Sequence, residues 1–292
     1  MMKITQGLCV NLTFIETMET PHSLTKPLKE KYEVIVQAMR NRGKIMVAFS
    51  GGVDSSLVLK LAHDALGNDC LAVVGDSPTM ARREYQVAKS VAKEIGAKLE
   101  IVYLSEMEDE SYRQNLETRC YICRSELGRV LRNIANTRNF QTIVDGANIS
   151  DKDDFRPGMK ATDENGFWHP LMEFGLDKSM VREMAKQLGL SIHDKPSTPC
   201  LSSRIAFGES ITVSKLKIIE AGEDFLHDLG FHQVRVRYHN GIARIEVPKE
   251  NLPRLVETTI LEKVVSKLKE LGFLYVTVDM EGYRIGSMNQ RR

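Results

Sequence analysis

Four short apolar runs, separated by longer amphipathic stretches, restrict the fold of this chain more than any other feature. They are "KIMVAFS" (residues 44–50), "CLAVVGDS" (70–77), "KLEIVYL" (98–104) and "TIVDGAN" (142–148). Runs rich in β-branched residues, apolar at successive positions and bounded by Gly, Asp or Ser, suit strands buried on both faces, the condition of a parallel sheet. Between them, "TMARREYQVAKSVAKEIG" sets Ala81, Tyr85, Ala88, Val91, Ala92 and Ile95 along one helical stripe and stops at Gly96. Such βα alternation predicts an α/β fold with a doubly wound parallel sheet.

From about Ser210 the pattern changes to a helix ("TVSKLKIIEAGEDFLHDLG"), two strands ("QVRVRYH" and "IARIEV"), a helix through about Leu271 and a strand ("LYVTVDM"). That order predicts a smaller α+β unit. The Pro- and Ser-rich residues 194–210 read as the connection. The expected division is an N-terminal extension over 1–27, the α/β unit over 28–205 and the α+β unit over 206–292, and 292 residues suffice for two cores. With 40 Lys and Arg against 39 Asp and Glu, no global charge favours nucleic acid or an anionic membrane, so any anion site is local. No apolar run reaches the roughly 18 residues of a membrane span, and "MMKITQGLCV" lacks a signal-peptide pattern, so a cytoplasmic protein is expected. In a reducing compartment, clustered cysteines call for a metal or redox reading, and of five only Cys120 and Cys123 are neighbours. Cys70 opens an apolar strand and reads as core, while Cys9 lies in the extension.

The turn after the first run, "SGGVDSS", is built for an anion. A strand ending in Ser50, Gly51 and Gly52 and resuming as a helix at about Asp54 gathers unpaired N–H groups and a positive helix end around one point. Ser50, Ser55 and Ser56 can donate to phosphate oxygens there. Asp54 would repel a phosphate unless a cation lies between, and Mg²⁺ would remove the conflict. On spacing alone, a plain glycine turn with Asp54 or Ser55 capping the helix is an equal reading.

"SGGVDSS" resembles the signature of the PP-loop ATP pyrophosphatases, which cleave ATP to AMP and pyrophosphate to adenylate a substrate. The resemblance implies that Ser50, Gly51, Gly52, Asp54, Ser55 and Ser56 grip the pyrophosphate end of ATP. Four further blocks, "RCYICRSEL" (119–127), "DGANISDKDDFRPGMKA" (145–161), "TPCLSSRIAFGESIT" (198–212) and "VRVRYHNGIARIEV" (234–247), resemble the LarE family of ATP-dependent sulfur transferases. The likeness runs from about Leu28 to the end. It implies a PP-loop domain followed by a substrate or oligomerisation domain, and a homo-oligomer. It also implies adenylation of a carboxylate on pyridinium-3,5-dicarboxylate mononucleotide and conversion to a thiocarboxylate, toward a nickel-pincer cofactor.

Within that family, one branch sacrifices the sulfur of a lone cysteine in the "PCLxSR" block, and another holds an iron-sulfur cluster with that cysteine and a C-x-x-C pair. Here Cys200 is joined by Cys120 and Cys123, which the resemblance reads as three ligands of a [4Fe-4S] cluster whose fourth iron can carry an extra sulfide. Cys120-x-x-Cys123 falls where a helix begins, a location favouring thiolate. A sacrificial Cys200 and a zinc site completed by Cys200 and His193 stay open as alternatives.

In the second unit, an Asn240-Gly241 turn would set Arg237 opposite Arg244 and Arg235 opposite Glu246, with Val236 and Ile245 on the core face. Two facing arginines repel unless an anion joins them. A solvated face with one Arg-Glu pair explains the spacing as well. Taken with the resemblance, Arg235, Arg237 and Glu246 read as substrate or pyrophosphate contacts and Arg204 as a phosphate partner. No Ser-His-Asp arrangement is visible. Asp151, Asp153 and Asp154 follow a strand end but read as a solvated loop. The competing functions are a PP-loop tRNA thiolase, disfavoured by the neutral charge, and an iron-sulfur or zinc binding protein without turnover.

Overall fold

A computed structural model describes residues 24–151, 157–284 and 286–288. Cys9, Asp153 and Asp154 lie outside them. Helix α1 (Lys26–Arg40) comes first and turns Leu28, Tyr32, Ile35, Val36 and Met39 inward at helical spacing. The chain then runs through β1 (Ile45–Ala48), α2 (Val53–Leu66), β2 (Cys70–Asp76), α3 (Arg82–Ile95), β3 (Lys98–Tyr103), α4 (Glu110–Arg113), α5 (Arg119–Arg138) and β4 (Thr142–Val144). Helices α6 (Pro157–Glu164), α7 (Pro170–Glu173) and α8 (Lys178–Gln187) close the first unit.

The four strands pair in parallel in the order β3-β2-β1-β4. Alternate residues of the central strands feed two cores. Ile45, Val47, Ala72 and Val74 pack with α1, α2, α3 and α8, while Met46, Ala48, Leu71 and Val73 pack with Leu127, Leu131 and Ala135 of α5. Helices cover both faces, which is why the strands read as continuous apolar runs. The chain proceeds outward from β1 to β2 and β3, then returns to place β4 on the other side of β1. Ligands of open α/β sheets bind at the carboxyl end of such a reversal.

The second unit contains α9 (Val213–Asp228), β5 (Arg235–His239), β6 (Ile242–Glu246), α10 (Leu252–Leu255), α11 (Thr258–Glu270) and β7 (Tyr275–Val278). Strands β5 and β6 form the expected hairpin, with Val236 opposite Ile245, Arg237 opposite Arg244 and Arg235 opposite Glu246. Asn240 and Gly241 take φ of +44° and +85°, the left-handed pair a tight two-residue turn needs. β7 joins β6 in parallel. Leu216, Ile219, Phe231, Val236, Ile245 and Leu268 form a core that also takes in Tyr112, Leu201 and Ile205, so the segment around Cys200 is clamped between the units.

Candidate active site

The glycine turn stands at the β1/β4 reversal. Gly51 has φ +72°, and a Cβ there would meet the Ala88 backbone at 2.8 Å, so α3 and the backbone conformation both require glycine. Gly52 begins α2 with no side chain capping the helix, which leaves its first N–H groups available to a ligand. In the loop after β4, Gly146 presses on the same helix end, where a Cβ would lie 2.6 Å from the Ser55 nitrogen. Ser55 Oγ lies 3.1 Å from Ser50 Oγ and donates to the Gly52 carbonyl at 3.1 Å. Ser56 is fully buried, and its hydroxyl has no partner among the described residues.

Asp54 faces this turn with company that the sequence reading missed. Asn148 Nδ2 donates to one carboxylate oxygen at 3.3 Å, and Lys178 Nζ forms an ion pair with the other. Asn148 follows β4 and Lys178 opens α8, so three distant segments converge on one carboxylate. Among the described residues no group of three or more His, Cys, Asp or Glu side chains is arranged to hold a metal ion. A single carboxylate nevertheless fits Mg²⁺, which commonly takes one or two carboxylates and draws its other ligands from phosphates and water.

Below the turn, His169 Nδ1 lies 2.6 Å from Asp145 and Nε2 2.9 Å from Asp163. Burial disfavours the charged ring, but the hydrogen bonds and charge of Asp145 and then Asp163 outweigh it and raise the pKa to about 9. The protonated ring thereby holds the loop that follows β4. Histidine spacing gave no sign of it, because both partners are aspartates brought in by the fold.

The two cysteine blocks meet at Ser202. Arg119, preceding Cys120, donates to the Ser202 carbonyl at 3.0 Å, and the Tyr112 hydroxyl lies 2.8 Å from Ser202 Oγ. Leu201 N–H donates to the Thr79 carbonyl at 2.8 Å, just beyond the carboxyl end of β2. Cys120 and Cys200 are exposed. Cys123 departs from the thiolate expected at a helix start: burial, then the charges of Glu106 and Cys200, push its thiol up to about 12. The sulfurs therefore share one neighbourhood, with the buried Arg119 guanidinium acting on Cys200 and Cys120. The zinc arrangement with His193 is not formed among the described residues.

The arginine face is not the solvated surface the hairpin pattern suggested. Arg235, Arg237 and Glu246 are all buried. The anion between the facing arginines is Glu246 itself, which accepts from Arg237 Nη2 at 2.8 Å and Arg244 Nη2 at 3.1 Å. Arg204 is fully buried and directs its fork at Glu223 and its Nη1 at the carbonyls of Pro199 and Cys200. Arg235 differs, since it donates to the carbonyls of Val234 and Ser197 and no carboxylate among the described residues forms an ion pair with it. Its side chain lines a cavity of about 510 Å³ together with Arg83, Lys195, Thr198, Leu201 and Glu220. Thr198 and Leu201 lie two residues before and one after Cys200 in the chain, while Cys200 itself does not line the cavity.

Residues 27–144 match the NAD synthase family. The chain is 37% identical over 263 residues to the pyridinium-3,5-bisthiocarboxylic acid mononucleotide synthase of Lactiplantibacillus plantarum, covering 90% of this chain and 95% of that protein. An uncharacterized protein of Synechocystis is 41% identical over 90% of this chain and 98% of its own. More distantly, a glutamine-hydrolyzing GMP synthase component of Archaeoglobus fulgidus is 27% identical over 68% of this chain and 70% of its own.

Proposed function

The chain belongs to the LarE family of PP-loop ATP pyrophosphatases and is an ATP-dependent enzyme, and from that premise we propose that it adenylates a carboxylate of pyridinium-3,5-dicarboxylate mononucleotide and converts it to a thiocarboxylate. The observation that carries the reading is the uncapped α2 end at the β1/β4 reversal, with Asp54 beside it. Ser50, Gly51, Gly52, Ser55 and Ser56 would hold the pyrophosphate end of ATP, and Asp54 would help hold a Mg²⁺ that screens the phosphate charge. The carboxylate oxygen bonds to the α-phosphorus as the bond to the β-phosphate breaks, and that electron pair departs with pyrophosphate.

In this assignment residues 28–205 form the ATP unit and 206–292 a substrate and oligomerisation unit of a homo-oligomer. Arg235 receives an anionic group of the substrate in the cavity it lines with Thr198 and Leu201, while Arg204, Arg237 and Glu246 fix its surroundings. Cys120, Cys123 and Cys200 would be the thiolates holding a [4Fe-4S] cluster, which would supply renewable sulfide chemistry. Support for that assignment is the hydrogen bond from Arg119, next to Cys120, to the Ser202 carbonyl, two residues after Cys200, which brings the two cysteine blocks together.

The test is pyrophosphate release with ATP, Mg²⁺ and the dicarboxylate mononucleotide. Asp54→Ala should abolish it without changing the circular dichroism spectrum. Wild-type rates in a folded Asp54→Ala protein would remove the assignment.

A further inference from the structure

One wall of the glycine turn is the loop over residues 145–148, and it fits the turn closely. At Gly146 a Cβ would lie 2.6 Å from the Ser55 nitrogen and 2.9 Å from the Asp54 Cβ, while Asn148 Nδ2 donates to the Asp54 carboxylate at 3.3 Å. The direction of the first N–H groups of α2 therefore depends on where this loop sits. The loop is fastened at Asp145, whose Oδ1 accepts the Ala147 N–H at 3.0 Å and lies 2.6 Å from His169 Nδ1. On its other side the ring reaches α6, with Nε2 2.9 Å from Asp163 Oδ1.

Only a ring protonated at both nitrogens satisfies two carboxylates, because an ionised carboxylate accepts and cannot donate. A neutral ring keeps one N–H and turns a lone pair toward the other acceptor. One contact must then part, and the one that stays loses its charge assistance. The backbone ties the two sides of the ring together: Trp168 N–H donates to the Ile143 carbonyl at 2.8 Å, and Asp145 N–H to the Trp168 carbonyl at 3.4 Å. Asp145 and Asp163 are the charged groups facing the ring. The other charges on the elements around it have partners of their own. Arg42 lies over the Trp168 ring and pairs with Glu173 of α7 at 3.6 Å, Glu164 of α6 pairs with Lys160 at 3.8 Å, Arg132 of α5 donates to the Asn165 carbonyl, and Asp54 of α2 pairs with Lys178.

We propose that His169 is a positioning residue for ATP: its protonated ring, joined to Asp145 and Asp163, holds residues 145–148 against the start of α2 and keeps the phosphate turn ordered before the nucleotide arrives. This role presupposes that the glycine turn binds ATP, and it adds to that reading a residue and a proton. A site ordered in advance leaves less ordering for binding to supply, so the effect falls on nucleotide affinity.

The experiment follows binding of the α,β-methylene analogue of ATP with Mg²⁺ by calorimetry, on both sides of the ring's pKa of about 9. Well below it, His169→Gln should bind about fivefold more weakly than wild type, the gap between a charge-assisted and a neutral hydrogen bond. As pH rises through about 9, wild type should approach the variant. Taking the ratio of the two affinities removes titrations common to both proteins. Asp163→Asn, at a side chain 61% exposed, supplies a readout that a merely structural role would not move. An Asn amide donates to a bare Nε2, so the neutral ring can keep both neighbours, and affinity should stay near wild type with the pH dependence gone. Melting curves at each pH establish that the variants are folded. Equal affinities of wild type and folded His169→Gln below the pKa, or a wild-type pH profile that Asp163→Asn leaves in place, overturns the positioning role while leaving ATP binding standing. Failure of wild type to bind the analogue at any pH overturns the assignment of the turn, and the role of His169 with it.

Discussion

Arg204 donates from Nε to one carboxylate oxygen of Glu223 and from Nη2 to the other, both at 3.0 Å, and no part of Arg204 reaches solvent. Glu223 also accepts the Val236 N–H at 3.0 Å, so one carboxylate joins the Cys200 segment to α9 and β5. Burial opposes ionisation of Glu223, but Arg204 outweighs it and holds the carboxyl below its usual range.

Removing one partner strands the other charge in the interior. Glu223→Ala should therefore cost about 3–5 kcal/mol, the range for breaking a buried ion pair. Chemical denaturation measures it. A loss of under about 1 kcal/mol would mean that Arg204 has found water or another carboxylate instead.

This pair also shows what the sequence could and could not disclose. The four strands and the Asn240-Gly241 hairpin were legible because burial on two faces and a left-handed turn each impose a residue pattern within a few positions. Arg204 was legible as important, but not its partner, since Glu223 lies 19 residues away on another helix. Lys178 sits 124 residues from Asp54, and only the β1/β4 reversal brings α8 to the turn. The arginine face misled for a related reason: alternation along β5 and β6 identifies which residues share a face, yet it cannot tell that the chain beyond β7 covers it. Ser287 Oγ, for instance, donates to Glu246 at 2.8 Å.

Cysteine reactivity gives a prediction that needs no substrate. At pH 8 the Cys123 thiol, pushed up to about 12, would be thiolate on the order of 10⁻⁴ of the time. In metal-free protein, iodoacetamide should modify the exposed Cys120 and Cys200 and spare Cys123 and the buried Cys70, whose thiol burial also raises to about 12. Peptide mass mapping over time reads the order. Equal labelling of Cys123 and Cys200 would show that α5 opens at this end.

His169 predicts a pH dependence of stability. Its pKa rises from 6.5 to about 9 on folding, so the folded state binds the proton more tightly. That contribution is fully present below pH 6.5 and is lost as pH rises through about 9. The denaturation midpoint of wild type should fall across this window, while His169→Gln starts lower and stays flatter. Parallel curves for the two proteins would remove the Asp145-His169-Asp163 arrangement as the cause.

The sulfur source is decided by whether Cys120, Cys123 and Cys200 act as a unit. A sacrificial Cys200 permits one turnover and leaves the chain about 34 Da lighter by loss of H₂S, with the sulfur now in the product. A cluster held by the three thiols leaves the polypeptide unchanged. Anaerobically prepared protein should then contain about four irons per chain. Each of Cys120→Ala, Cys123→Ala and Cys200→Ala should remove iron and activity together, and Cys70→Ala should affect neither. Added sulfide should sustain repeated turnover, because an iron without a protein thiolate can be reloaded. The raised Cys123 thiol sharpens the comparison: it gives up its proton readily only to a metal, so a mechanism confined to Cys200 would tolerate Cys123→Ala. Active, iron-free protein whose mass falls at position 200 would establish the sacrificial route, and zinc bound by the three cysteines would make them a structural clip.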